Sequence, residues 1–192
     1  MSYDGRAALL VVDLQNDFAD PAGALAVVGA EGVITVANRE IDAAVAAGAT
    51  VAFSQDWHPE HTPHFARDGG IWPVHCVANT WGAEFVPALH VRGAVIRKGS
   101  NGEDGYSAFT MRDVETGETR PTELAELLGR AISRVVVVGL ATDYCVKATA
   151  LDALALGFET VVLRAGVRAV NLQPADGEAA LASIRDAGGI IV

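Results

Sequence analysis

The sequence predicts an α/β fold in three layers, with helices on both faces of a mostly parallel, doubly wound sheet of about six strands. Three observations lead there. Six short runs are apolar at almost every position, the habit of strands buried on both faces of a parallel sheet. Stretches with helical spacing and helix end signals alternate with those runs, which implies right-handed crossovers. The chain has 192 residues, 51% of them hydrophobic, and 20 glycines. That suits a single domain spanning 1–192, large enough to bury roughly 70% of its unfolded surface.

The first strand is "AALLVV" (7–12). "GVITVANREIDAAVAAG" (32–48) then places Val33, Val36, Ile41 and Val45 near one helical face and stops at Gly48. "ATVAF" (49–53) and "GAVIR" (93–97) are the next two strands. "PTELAELLGR" (121–130) opens with residues suited to a helix start and closes at Gly129. The strand "RVVVVG" (134–139) leads to "TDYCVKATALDALALG" (142–157), a helix with a Thr-Asp cap and a Gly157 stop. "ETVVL" (159–163), the helix "PADGEAALASIRDAGG" (174–189) and "GIIV" (189–192) complete the alternation. Two stretches fall outside it, 54–92 and 98–119, and the "ETGET" at 115–119 reads as a tight turn between two short extended pieces. Both stretches follow strands, so both begin at the carboxyl edge of the sheet, where open α/β sheets bind ligands.

The formal net charge is −10 and the Lys and Arg residues are scattered, which argues against nucleic acid or an anionic membrane surface as a partner. Two cysteines do not make a disulfide framework. The first apolar run is short, ends at Asp13 and lacks a signal-peptide layout, and no run approaches the roughly 20 residues needed to span a bilayer. A cytoplasmic location is expected, and a homo-oligomer is compatible with the sequence.

Polar residues at strand ends carry the chemistry. "SQDWHPEHTPHF" (54–65) holds three of the five histidines. Asp56 and His58, one residue apart on an extended chain, lie on the same side and can meet one ion. His64 and His75 follow in a loop long enough to fold back. Carboxylate and imidazole together suit Zn²⁺, Fe²⁺ or Mn²⁺, and without nearby cysteine a structural zinc knot is disfavoured. His61 competes with His64 as a ligand; its other places are an outer partner or solvent. In "GLATDYC" (139–145), Cys145 falls in the first turn of a helix, where free N–H groups favour a thiolate and can hold an oxyanion. Cys76 has no such context and reads as structural. Asp13 directly follows six apolar residues, a position that calls for a partner or a task. Lys98 alone would be an ordinary solvated strand-end lysine. Taken together, Asp13, Lys98 and Cys145 supply a base, a cation and a thiol from one sheet edge.

At these residues the sequence resembles the nicotinamidases of the isochorismatase-like cysteine hydrolases, over nearly the whole chain. "VVDLQNDF", "SQDWH", "WPVHC", "RKG" and "GLATDYCV" occur in that family's order. The resemblance implies a Rossmann-like, isochorismatase-like sheet and an Asp13–Lys98–Cys145 triad. It implies one divalent transition metal ion on Asp56, His58 and His75, with His64 in the position of a fourth ligand. Phe18, Trp72 and Tyr106 correspond to the substrate pocket. A non-proline cis peptide would precede Ala141, whose N–H would share an oxyanion with that of Cys145. The implied substrate is nicotinamide, hydrolysed to nicotinate and ammonia through a thioester, with pyrazinamide as a second amide. The loop "SNGEDG" (100–105) departs from the family in its acidity and glycine content, and Tyr144 has no assigned role. The alternatives are a carbamoyl-type amidohydrolase, which would not carry the metal cluster, and a non-catalytic metal-binding or redox-sensing module, which would leave Asp13 and Lys98 without work.

Overall fold

The computed structural model describes residues 1–192. Six strands form one parallel sheet: β1 (Ala7–Val12), β2 (Thr50–Asp56), β3 (Ala94–Lys98), β6 (Arg134–Leu140), β7 (Glu159–Arg168) and β8 (Ile190–Ile191), in the order β3-β2-β1-β6-β7-β8. All five pairings are parallel. The chain runs outward from β1 through β2 to β3, then returns to place β6 on the other side of β1. The strand order therefore reverses between β1 and β6, and the crevice outside their carboxyl ends is where such sheets bind ligands. The antiparallel pair β4 (Thr110–Arg112) and β5 (Thr119–Pro121) brackets the predicted 115–119 turn.

Burial follows the two-faced pattern. Ala8, Leu10 and Val12 of β1 point into one core, which also holds Leu124 and Leu128 of α3 (Leu124–Leu128), Ala150 and Ala153 of α4 (Lys147–Ala155), and Leu181 and Ile184 of α5 (Asp176–Asp186). Leu9 and Val11 point into the other, against α2 (Ala30–Ala46); a single-turn helix, α1 (Asn16–Ala19), lies just after β1. Alternation in β6 is the same, with Val135 and Val137 on one side and Val136 and Val138 on the other. Burying apolar side chains on both faces is what makes these runs read as uninterrupted.

Three local expectations are corrected. The buried stripe of α2 is Val33, Ala37, Ile41 and Ala44; Val45 faces solvent and Val36 is half-buried. Alanine, small enough for a helix to lie close to the sheet, supplies two of the four contact positions. The strand β3 is an edge strand that turns Val95 and Arg97 outward, the Arg97 guanidinium lying 3.9 Å from the Trp57 ring centre. The helix expected from Thr142 opens instead with a π-helical turn, Thr142–Val146, before α4. Asp143 does not cap it: its carboxylate accepts from the N–H groups of Val170 and Asn171, at 3.0 and 2.8 Å, and ties the segment after β7 to this turn. No helix is long and apolar enough to cross a membrane.

Candidate active site

The carboxyl ends of β1, β2, β3 and β6 converge on one buried cluster. Asp13 leaves β1 in a left-handed conformation (φ 49°), which bends the chain and turns its carboxylate inward. Its Oδ1 accepts a 2.6 Å hydrogen bond from Ser54 Oγ, and its Oδ2 lies 2.9 Å from Lys98 Nζ. Lys98, with 0% exposure, also contacts Asp56 Oδ1 and sits 3.6 Å from Cys145 Sγ. The solvated lysine that its position alone suggests is therefore not found. Two carboxylates and a thiol surround it.

The charges in this dry cluster determine one another. Burial opposes the Lys98 ammonium, but Asp13 and Asp56 outweigh it and hold the group well above the ordinary lysine range. Burial raises Asp13 above a usual carboxyl, with Lys98 pulling the other way. Burial also acts against the charge of Asp56, yet Lys98 and His58 prevail and keep it well below the usual range. The Cys145 thiol is pushed well up, again chiefly by burial, with Lys98 opposing. At rest the cluster is a neutral thiol beside a carboxylate of raised basicity.

Beside it stand three imidazoles. The ligating atoms of His58, His64 and His75 lie within 4.8 Å of one another, and all three side chains are buried. The Nε2 atoms of His58 and His75 are 3.7 and 3.9 Å from Asp56 Oδ2. Asp56 thus divides its oxygens, one to Lys98 and one toward the imidazoles. His75 Nδ1 donates to Pro73 O at 2.7 Å, and His64 Nδ1 donates to Asp104 Oδ1 at 2.9 Å, since a carbonyl or carboxylate can only accept. Each is left with Nε2 as its free ring nitrogen. Burial pushes His75 down to about 4, so its ring is neutral, the ligating form. Both ring nitrogens of His58 are buried without a hydrogen-bond partner, which is costly in a protein-only site and fits a donor set built for a cation. His61 is elsewhere, mostly exposed and 3.1 Å from Asp68.

A cleft opens above both clusters. Phe18, Trp72 and Tyr106 line it, as do Asp56, His64, His75, Ala141 and Cys145. Trp72 Nε1 donates to Tyr106 Oη at 2.9 Å, and burial pushes that hydroxyl up to about 12. Phe18 lies 5.5 Å from the His75 ring centre. The floor is the turn after β6: the Leu140–Ala141 peptide is cis, and Ala141 O accepts from the N–H groups of Tyr144 and Val146, both at 3.1 Å. Cys76 is buried away from the cleft lining, its N–H on Asp17 Oδ2 at 2.6 Å.

Several residues of the site escaped the sequence reading. Tyr144 belongs to the cleft wall, edge-on to Trp72 at 4.9 Å. Gln15 clamps the Asp56 peptide, accepting its N–H at 2.8 Å and donating to its carbonyl at 2.7 Å. Ser54 and Asp104 hold Asp13 and His64. Only proximity hinted at them: Gln15 and Ser54 each lie two residues from a recognised carboxylate, and Asp104 belongs to the acidic loop already seen to depart from the family pattern.

This fold and cleft place the chain among the α/β hydrolytic enzymes. More narrowly, it belongs to the isochorismatase family, whose isochorismatase domain matches residues 7–192. It is 42% identical to the nicotinamidase of Escherichia coli (strain K12), over 96% of this chain and 93% of that one. Among solved structures, the pyrazinamidase of Pyrococcus horikoshii in complex with zinc shares 42% identity at a TM-score of 0.85, covering 97% of this chain and 98% of that one. PnC1 from L. infantum in complex with nicotinate shares 36% identity at a TM-score of 0.87, covering 100% and 95%.

Proposed function

We propose that residues 1–192 act as one hydrolase domain that converts nicotinamide to nicotinate and ammonia, and that also accepts pyrazinamide. The observation that carries this reading is the contact chain from Asp13 through Lys98 to Cys145, 2.9 and 3.6 Å long, at the floor of an aromatic cleft. The names of the E. coli and P. horikoshii relatives and the nicotinate bound to the L. infantum protein support the substrate.

In this reading the ring of the substrate lies among Phe18, Trp72 and Tyr106, and its carboxamide carbon faces Cys145. The Cys145 thiol passes its proton to Asp13 as sulfur bonds to that carbon. Lys98 stays charged throughout and favours the anionic partners on either side. Negative charge moves to the carbonyl oxygen, where the N–H groups of Ala141 and Cys145 receive it; one such donor is typically worth about 2.7–4 kcal/mol. Asp13 then gives its proton to the departing nitrogen, ammonia leaves, and a thioester remains. Water attacks the thioester while Asp13 takes its proton, and the proton returns to sulfur as nicotinate departs. A divalent transition metal ion, Zn²⁺, Fe²⁺ or Mn²⁺, held by Asp56, His58, His64 and His75, would supply a Lewis-acidic site for the pyridine nitrogen.

A redox-sensing role for Cys145 has less support, because the thiol is only 7% exposed and its pKa is raised. The direct test is ammonia release from nicotinamide. Wild type should release it, and Cys145→Ala should not, while still binding nicotinamide in calorimetry. Substantial turnover by the variant would remove Cys145 from the nucleophile's role.

A further inference from the structure

His58, His64 and His75 converge, but different things hold them. His58 is fixed by packing: His64 stacks on it at 4.7 Å, Phe65 meets it edge-on at 5.5 Å, and Gly99 closes the remaining side. A Cβ at Gly99 would fall 2.5 Å from His58 Nδ1, so only glycine fits there, and its φ of +78° favours glycine as well. His75 is held by the carbonyl of Pro73, two residues away on its own loop. Of the three rings, His64 is the one whose nitrogen is hydrogen-bonded by a side chain from a distant segment, Asp104, 40 residues later.

We propose that Asp104 is a positioning residue for the metal site: its carboxylate fixes the tautomer and orientation of the His64 ring, so that Nε2 faces the ion. This rests on the metal-site reading above. The 99–105 segment is well placed for the task. Asp104 is anchored through both backbone groups to Arg112, at 2.8 and 2.6 Å. Gly102 O accepts from Thr62 Oγ1 at 3.2 Å, and the same hydroxyl accepts from the N–H of His64 at 3.3 Å. The loop therefore grips the His64 turn at two points, the Thr62 hydroxyl and the His64 ring. With Nδ1–H committed to Asp104, the ring cannot place its proton on Nε2, where it would block coordination. Tyr106, two residues further on, meets Trp72. One loop thus links the ligand ring to the aromatic wall, and a ligand ring oriented by an outer carboxylate is a general device for tuning a metal site.

The test measures Zn²⁺ affinity by chelator competition and the visible absorption of the Co²⁺ form. Asp104→Ser keeps a half-buried position polar but is too short to reach the ring; Asp104→Asn keeps an oxygen that can accept from Nδ1–H. Asp42→Ser, which deprives His90 of its carboxylate partner outside the cleft lining, is the control. We expect Asp104→Ser to lose about 10–100-fold in Zn²⁺ affinity, with altered Co²⁺ bands. Asp104→Asn should recover most of that loss, and Asp42→Ser should match wild type. Affinity in Asp104→Ser equal to wild type would overturn the positioning role. So would an equal loss in both Asp104 variants, because charge rather than the hydrogen bond would then be responsible. A wild-type protein that binds no Zn²⁺ or Co²⁺ would instead overturn the metal site itself.

Discussion

Lys98→Met replaces a fully buried ammonium by an apolar chain of similar length and leaves Asp13 and Asp56 without their shared cation. Removing one partner of a buried ion pair costs about 3–5 kcal/mol. For a domain of this size that lowers the thermal midpoint by about 6–20 °C. The loss should depend on pH in a definite direction. In wild type, Asp56 is depressed, so it contributes stability above the ordinary carboxylate range, lost as pH falls through its folded value. Lys98 is raised, so its contribution is complete below the unfolded lysine value and fades only at strongly alkaline pH. Asp13, raised by burial, favours the fold at low pH and loses that advantage as pH rises. Without Lys98, both carboxyls move upward, and the variant can relieve its unpaired charge only by taking up protons. The stability gap should therefore be largest near pH 8 and shrink toward pH 5. Melting curves of both proteins at the two pH values, with chelator present throughout, measure it. An equal gap at both would refute the claim that Lys98 compensates two buried carboxylates.

Two further outcomes follow from the cleft. His64→Ala should weaken metal binding while His61→Ala leaves it unchanged, as read by metal content after dialysis; a loss only in the second would reverse the assignment. Trp72→Phe removes the N–H donated to Tyr106, worth about 0.5–1.5 kcal/mol of stability, so the thermal midpoint should fall by about 1–6 °C in a melting curve; an unchanged midpoint would show that this bond adds nothing net.

The convergence of Asp13, Asp56, His58, Lys98 and Cys145 on one sheet edge was legible because its signals are local. A carboxylate after six apolar residues, a D-x-H pair and a thiol after a buried strand each announce themselves within a few positions, and alternating runs place them on one side of the sheet. What escaped is long-range. Nothing near Asp104 says that it will meet His64, and nothing near Asp143 says that its carboxylate will hold Val170 and Asn171 rather than cap its own turn. Local rules favoured the cap, and tertiary hydrogen bonding overrode it. The edge position of β3 was hidden for a related reason: "AVIR" reads as buried on both faces until sheet order shows that nothing pairs beyond it. Tyr144 was passed over because one aromatic near a cysteine carries no pattern, and only the fold brings it onto Trp72.

Asp56 explains why the two clusters adjoin. Asp13 and Asp56 together carry two negative charges against the single positive charge of Lys98, so this buried group has an excess of one. An imidazole in the neutral form that ligates a metal cannot offset it. A divalent cation on the Asp56 Oδ2 side, as proposed above, would turn that excess into a net positive charge beside the thiol, at the moment when sulfur and then the carbonyl oxygen become anionic. Metal binding and nucleophile activation are then two draws on one carboxylate. Replacing Asp56 would disturb both together, whereas replacing Asp104 reaches the imidazole side alone. Comparing those two replacements separates the contribution of substrate orientation from that of charge.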